Sequence, residues 1–375
     1  MKKIFKPLVF LFMTSFALQA QHDNDFLYIS TYVNNKSEKA LFVYQFDSDT
    51  GQLSPVDSYA GFEKPSYMVF SKDRHFLYAC SEMDDPEKAV ITAMRVDAKT
   101  GLIEILNSAL SGGSGPVYVA IHPSGKYLAS AHYGSGSVSV SPIHEDGKIG
   151  SPSQTIQFSG SSINKDRQTK SHIHSAIFSN DGNHLFCPDL GSDKIHVLRF
   201  NSDQDKPLEV DENLHVRSEP GSGPRHIVFS KDGSMAYCVE ELSGMISVYA
   251  LENGQLSAIE RVKSYEKTQE VHGSADIHLS PDGRLLYTTN RWDGENSIAI
   301  FAVNQVSGTL SPLGHQSTKG DHPRNFALHP SGKYLLVANQ KSDNVVVFRR
   351  DMETGLLEDI GVEINVPAPV CLKFE

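Results

Sequence analysis

A unit of about fifty residues returns seven times along this chain, and a fixed period of that kind decides architecture before any single residue is interpreted. Its clearest copy runs from Gly221 to Glu240: a turn, an apolar run, a Lys-Asp-Gly turn and a second apolar run. Near variants open at Lys64-Pro65, Gly115-Pro116 and His322-Pro323. The apolar residue that begins the core of each second run falls at Leu27, Leu77, Leu128, Leu185, Ala236, Leu286 and Leu335, at intervals of 50, 51, 57, 51, 50 and 49 residues.

Within a unit the runs are short, rich in Val, Ile, Tyr and Phe, and divided by Asp-Gly or Ser-Gly turns such as Pro281-Asp282-Gly283, which is a strand and hairpin signature. A third strand follows, as in Met245 to Tyr249, and then a weaker fourth after a Gly turn, as at Gly355-Leu356-Leu357. Four strands per period predict an all-β, seven-bladed propeller of four-stranded antiparallel blades. The ends agree. The first unit begins at its second strand, Asp25 to Ser30, and an orphan strand, Pro369 to Phe374, repeats the Pro-to-Phe spacing of Pro65 to Phe70. The C-terminal strand is therefore expected to close the ring by joining the N-terminal blade.

Residues 1–21 carry Lys2, Lys3 and Lys6 and then an uncharged stretch from Pro7 to Ala20, which reads as a secretory signal peptide. Residues 22–375 form one propeller domain on this reading, and the mature protein is expected to be periplasmic or secreted, with no membrane association after the leader is removed. The formal charge of −11 becomes −14 without the three leader lysines, and no Lys/Arg cluster stands out, so a nucleic-acid partner is not expected. Cys80, Cys187, Cys238 and Cys371 all fall in inner strands. They read as buried thiols rather than a disulfide scaffold or metal set, with a Cys187–Cys238 bridge as the alternative. The one long interval comes from an insertion, Phe158 to Lys170, whose Ser, Gly and Asn content makes it a loop.

Antiparallel pairing places the start of each first strand beside the end of each second strand, on one rim of the ring. The starts read His172-Ile173-His174, Pro224-Arg225-His226, Ser274-Ala275-Asp276 and Pro323-Arg324-Asn325. Four residues past each apolar marker stand Thr31, Ser81, His132, Asp189, Glu240, Asn290 and Asn339, every one polar, and Arg291 follows next in its unit. Cations and acids meeting around one mouth point to a site for a small, anionic molecule.

Five separated segments carry a more specific likeness. They are Arg167-Gln168 with Ser171 to His174, Pro188 to Ile195, Gly223 to His226, Ser280 to Tyr287 ending in Asn290-Arg291, and Pro323 to Phe326. In this order they resemble the seven-bladed propeller lactonases, which include the bacterial propeller-type 6-phosphogluconolactonases and the fungal carboxy-muconate cyclases. The resemblance implies hydrolysis of a sugar 1,5-lactone, typically 6-phospho-glucono-1,5-lactone to 6-phosphogluconate, with no metal and no organic cofactor. It places the site at His174, Arg225, His226, Glu240, Asp276, Arg291 and Arg324; by residue type His174 or Glu240 is the base and Arg225 the oxyanion donor, catalysis thus resting on His174, Arg225 and Glu240, while the rim positions add His132, His172, Asp189 and Asn325 to His226, Asp276, Arg291 and Arg324 as substrate-binding residues. One departure is Asp276, where the family pattern has Glu. A muconate-type cyclase or isomerase, or a non-catalytic secreted ligand-binding propeller, would use the same mouth.

Overall fold

The computed structural model describes residues 25–268, 272–292 and 294–375. The leader expected at residues 1–21 lies outside them. Among the described residues, seven antiparallel sheets surround one axis, and the regular structure is all strand apart from one 3-10 turn at Glu212–Leu214. Among the described residues, no helix is long and apolar enough to cross a membrane.

The innermost strand is a Pro-led run in blades 2, 3, 5 and 7, Pro65–Phe70, Pro116–Ile121, Pro224–Phe229 and Pro323–Leu328, and its counterpart in blade 6 is Ser274–Leu279. Blade 1 takes its innermost strand from the far end of the chain. Pro369–Phe374 pairs antiparallel with Asp25–Thr31, in a register running from Leu27 opposite Phe374 to Thr31 opposite Pro369. The expected closure is therefore observed, and the inner edge of Asp25–Thr31 is paired. Blade 4 is the irregular one. Its innermost strand shrinks to Ile177–Phe178, preceded by a lone bridge from Ile173 to Asp189, and its outer strand is split into Leu208–Val210 and Val216–Arg217.

Alternation of side chains along the strands builds the core between neighbouring blades. Leu27, Leu77, Leu128, Leu185, Leu286 and Leu335 are all fully buried, so the markers that revealed the period are core positions. Tyr28, Tyr78, Tyr237 and Tyr287, each one residue later, donate their hydroxyls to glycine carbonyls of the next blade, at Gly101, Gly147, Gly308 and Gly355. These buried phenols are satisfied, and they lock adjacent blades together. All four cysteines are buried and free, without a Cys187–Cys238 bridge.

Candidate active site

Two local devices aim side chains at the mouth. The first is a break in register at the start of the inner strands. In blade 5 Pro224 faces Glu240 and His226 faces Val239, so Arg225 is an extra residue; Arg324 is extra in the same way between Pro323 and Asn325. A bulge of this kind re-aims a side chain, and it lets Arg225 and His226, though adjacent in sequence, share one opening. His174 sits one residue past the Ile173–Asp189 bridge, the counterpart of the position held by Arg225.

The second device is a backbone latch. The residue just past each second strand donates its N–H to the loop leading into the first: Tyr32 to Ala368, Glu82 to Lys64, Tyr133 to Gly115, Leu190 to His172, Glu241 to Gly223, Arg291 to Gly273 and Gln340 to His322. Seven repeats of one bond hold these residues on the mouth. This ring, one residue beyond the one singled out from sequence, supplies much of the site.

Glu241 is its centre. The carboxylate accepts from Arg167 Nη2 at 2.7 Å, Arg225 Nε at 2.9 Å and Arg291 Nη2 at 3.1 Å, with His174 Nε2 3.8 Å away. Burial opposes its charge, but Arg291, Arg167 and Arg225 outweigh burial and hold the carboxyl well below its ordinary range. Three guanidiniums around one carboxylate leave a net positive field that favours an anion. Arg225, only 2% exposed, also donates from Nη1 to the Ala275 carbonyl at 2.5 Å. Arg324 lies across the mouth, 3.2 Å from Glu82, which also accepts from the Tyr32 hydroxyl at 2.9 Å.

The floor is a second polar cluster. Asp276 accepts from His226 Nδ1 at 2.8 Å and His278 Nε2 at 2.9 Å, and from the Asn325 amide. Burial again works against the carboxylate, and His278 and His226 overcome it, so Asp276 stays ionised well below the usual carboxylate range. The Asp276 side chain is therefore long enough for all three partners. Tyr67 and Tyr118 stack at 4.1 Å and meet the His226 ring edge-on at 6.0 and 5.1 Å.

Both mouth histidines are neutral at pH 7. Burial first, and then Arg225, push His174 well below its ordinary value, with Glu241 offsetting only part of the effect. Burial and Arg225 likewise take His226 down to about 3. Their rings lie 5.4 Å apart.

The structure brings His174, Arg225, His226, Asp276, Arg291, Arg324 and Asn325 together around this mouth and floor. His172 stacks on Tyr133 at 4.2 Å and points Nδ1 at the Tyr133 carbonyl, on the outer rim. Three expected residues sit elsewhere. Glu240 is turned away from the arginines of the mouth: Arg261 donates to it at 2.6 Å, Ser243 at 2.7 Å and Ser247 at 2.6 Å. His132 is held between the carbonyls of Ser111 and Ser137. Asp189 takes hydrogen bonds from Ser171, Ser192, His196 and the amides of His172 and Gly191. The polar ring at the strand ends therefore fastens loops, as Asn290 does with Ser264 and Ser274, and its polarity is explained by packing after all.

The pattern defining the family "Lactonase, 7-bladed beta-propeller" matches residues 26–374. This chain belongs to that family. The lactonase is 40% identical over 351 residues to a 6-phosphogluconolactonase of Formosa agariphila, covering 93% of this chain and 99% of that protein. It is 34% identical to a 6-phosphogluconolactonase of Bacillus subtilis, covering 92% and 97%. Among solved structures it is similar to the periplasmic gluconolactonase of Pseudomonas aeruginosa, with a TM-score of 0.88, 34% identity and coverage of 93% and 98%.

Proposed function

We propose that this lactonase hydrolyses 6-phospho-glucono-1,5-lactone, or a closely related sugar 1,5-lactone, to the open acid, and that the mouth around Glu241 is where it does so. The observation that carries this reading is the arrangement of Arg167, Arg225 and Arg291 on one buried carboxylate beside an uncharged imidazole.

Opening a lactone needs water deprotonated as it attacks, a donor for the oxyanion and a proton for the departing ring oxygen. His174 is the base. Its depressed affinity for protons keeps it neutral, and its Nδ1 has no hydrogen-bond partner. As water adds to the carbonyl carbon, His174 takes the proton, and the imidazolium so formed sits 3.8 Å from Glu241, which stabilises it. Arg225 holds the oxyanion: Nε and Nη1 are committed to Glu241 and Ala275, which leaves Nη2 for the substrate. Collapse breaks the carbon–ring-oxygen bond, and His174 returns its proton to that oxygen, so water and lactone become a hydroxy acid that ionises in solvent.

Arg324, paired with Glu82 rather than Glu241, binds the far, anionic end, while Arg291 stays on Glu241. The basic, then apolar leader supports action outside the cytoplasm, and the likeness to a protein named periplasmic supports the same placement. The test is turnover of His174→Ala and Arg225→Ala against the spontaneous rate. A loss of at least about a hundredfold in each is expected, and wild-type rates in both would rule out the mouth.

A further inference from the structure

Arg167 reaches the site from outside the repeat. It belongs to the insertion at Phe158 to Lys170, a loop with no counterpart in the other six units, yet its guanidinium meets Glu241 at 2.7 Å and the Tyr133 hydroxyl at 3.2 Å. A loop that delivers a charged group into a mouth must be anchored, because a long free side chain on a free loop loses its geometry.

The anchor is visible one residue away. Gln168 is 1% exposed; its Oε1 accepts from the Asn164 amide at 3.1 Å, and its Nε2 donates to the Leu190 carbonyl at 2.9 Å and to Asp193 Oδ1 at 2.7 Å. Asp193 is 4% exposed and has two further donors, the amides of Gly223 at 2.7 Å to Oδ1 and Gly221 at 2.6 Å to Oδ2. Both glycines have left-handed φ, +64° at Gly223 and +87° at Gly221, which turns their N–H groups toward one carboxylate. The same Gly223 accepts the Glu241 amide at 2.7 Å and is followed by Pro224 and Arg225. Among the described residues Asp193 forms no salt bridge, and the donors that hold its carboxylate are neutral N–H groups.

We infer that Asp193 is a positioning residue for this lactonase: its carboxylate ties the inserted loop carrying Arg167 to the turn that sets Arg225 and Glu241, so that both guanidiniums meet one acid. The inference rests on the lactonase reading of the mouth. An Asn at this position keeps one acceptor but sets its amide nitrogen against the Gly221 N–H, donor against donor.

The test compares Asp193→Asn and Gln168→Ala in the full mature chain, each alone and combined with Arg167→Ala. The readouts are kcat and KM on glucono-1,5-lactone and hydrogen–deuterium exchange over residues 160–170 and 218–224. Asp193→Asn is expected to raise exchange in both segments and lower kcat/KM by about tenfold or more. Gln168→Ala raises it in the first segment only, and adds no more than about twofold to the loss caused by Arg167→Ala. Exchange unchanged in both segments, or losses from Gln168→Ala and Arg167→Ala that multiply, would overturn the inference. Should Asp193→Asn not fold, Gln168→Ala still decides the inserted-loop half. A wild-type protein with no lactone turnover would overturn the functional reading instead, and the exchange comparison would still judge Asp193.

Discussion

Arg225 and Glu241 form an ion pair of 2.9 Å in which each side chain is only 2% exposed, at the junction of the blade 5 bulge and the latch that follows it. Removing one partner of such a pair leaves uncompensated charge in a poorly solvated place, at a cost of about 3–5 kcal/mol. Glu241→Gln is therefore expected to lower stability by that order and turnover by at least about a hundredfold. Glu240→Gln, adjacent in sequence, keeps one acceptor oxygen but loses the other and the charge that pairs with Arg261, and leaves the mouth intact. Denaturant titration and steady-state rates on the two variants should separate them, with turnover near wild type only in Glu240→Gln.

That adjacent pair also marks the limit of what was legible in the sequence. The period, the blade count and the closing strand could all be read from spacing, because core positions such as Leu77 and Leu128 repeat with the backbone itself. His174, Arg225 and Arg324 could be placed at the mouth, since they begin inner strands. Which of Glu240 and Glu241 faces the site is decided by where the latch falls. A one-residue step along the chain exchanges a loop-fastening side chain for one in the site, and nothing local in Val239-Glu240-Glu241-Leu242 distinguishes them. Asp189 and His132 fasten loops for the same reason: a polar residue at a strand end looks alike whether it faces a substrate or a loop group. Arg167 lies in one of the family-like segments, but its arrival at Glu241 depends on the fold of an insertion with no repeat to align it.

Acid should weaken the fold before the carboxylates titrate. Burial takes His132 down to about 4, and burial with Arg225 takes His226 to about 3, whereas both titrate near ~6.5 when unfolded. Below ~6.5 the unfolded chain binds protons that the folded one refuses, so the stability their neutral forms contribute is complete above that pH and declines as pH falls, by up to about 1.4 kcal/mol per pH unit for each group. Melting measured from pH 7.5 to 4.5 should show this decline, and His132→Gln should make the slope shallower. An unchanged slope in that variant would contradict the assignment.

Arg324 faces Glu82 rather than the Glu241 cluster, and on the proposed reading of the mouth it meets the far end of the sugar. Arg324→Ala is expected to raise KM for the phosphorylated lactone about tenfold relative to the unphosphorylated one, with kcat little changed. Equal effects on the two substrates would move the anionic end elsewhere.

Ring closure depends on the C-terminal strand, whose Val370, Cys371, Leu372 and Phe374 are all buried. Each large apolar side chain of that kind contributes about 1.5–3 kcal/mol, and its removal also opens the inner edge of blade 1. Deleting residues 366–375 should therefore lower the melting temperature of the whole ring rather than fray one blade, and unchanged melting would refute the closure's importance.

The central claim is that this mouth opens sugar lactones. It is tested most directly by pH-stat titration of the purified protein against glucono-1,5-lactone, its 6-phosphate and an unrelated aliphatic lactone, each corrected for spontaneous hydrolysis. Acid release well above background on the two sugar lactones, fastest on the 6-phosphate and lost in Arg225→Ala, is the expected result. Background rates on all three would contradict it.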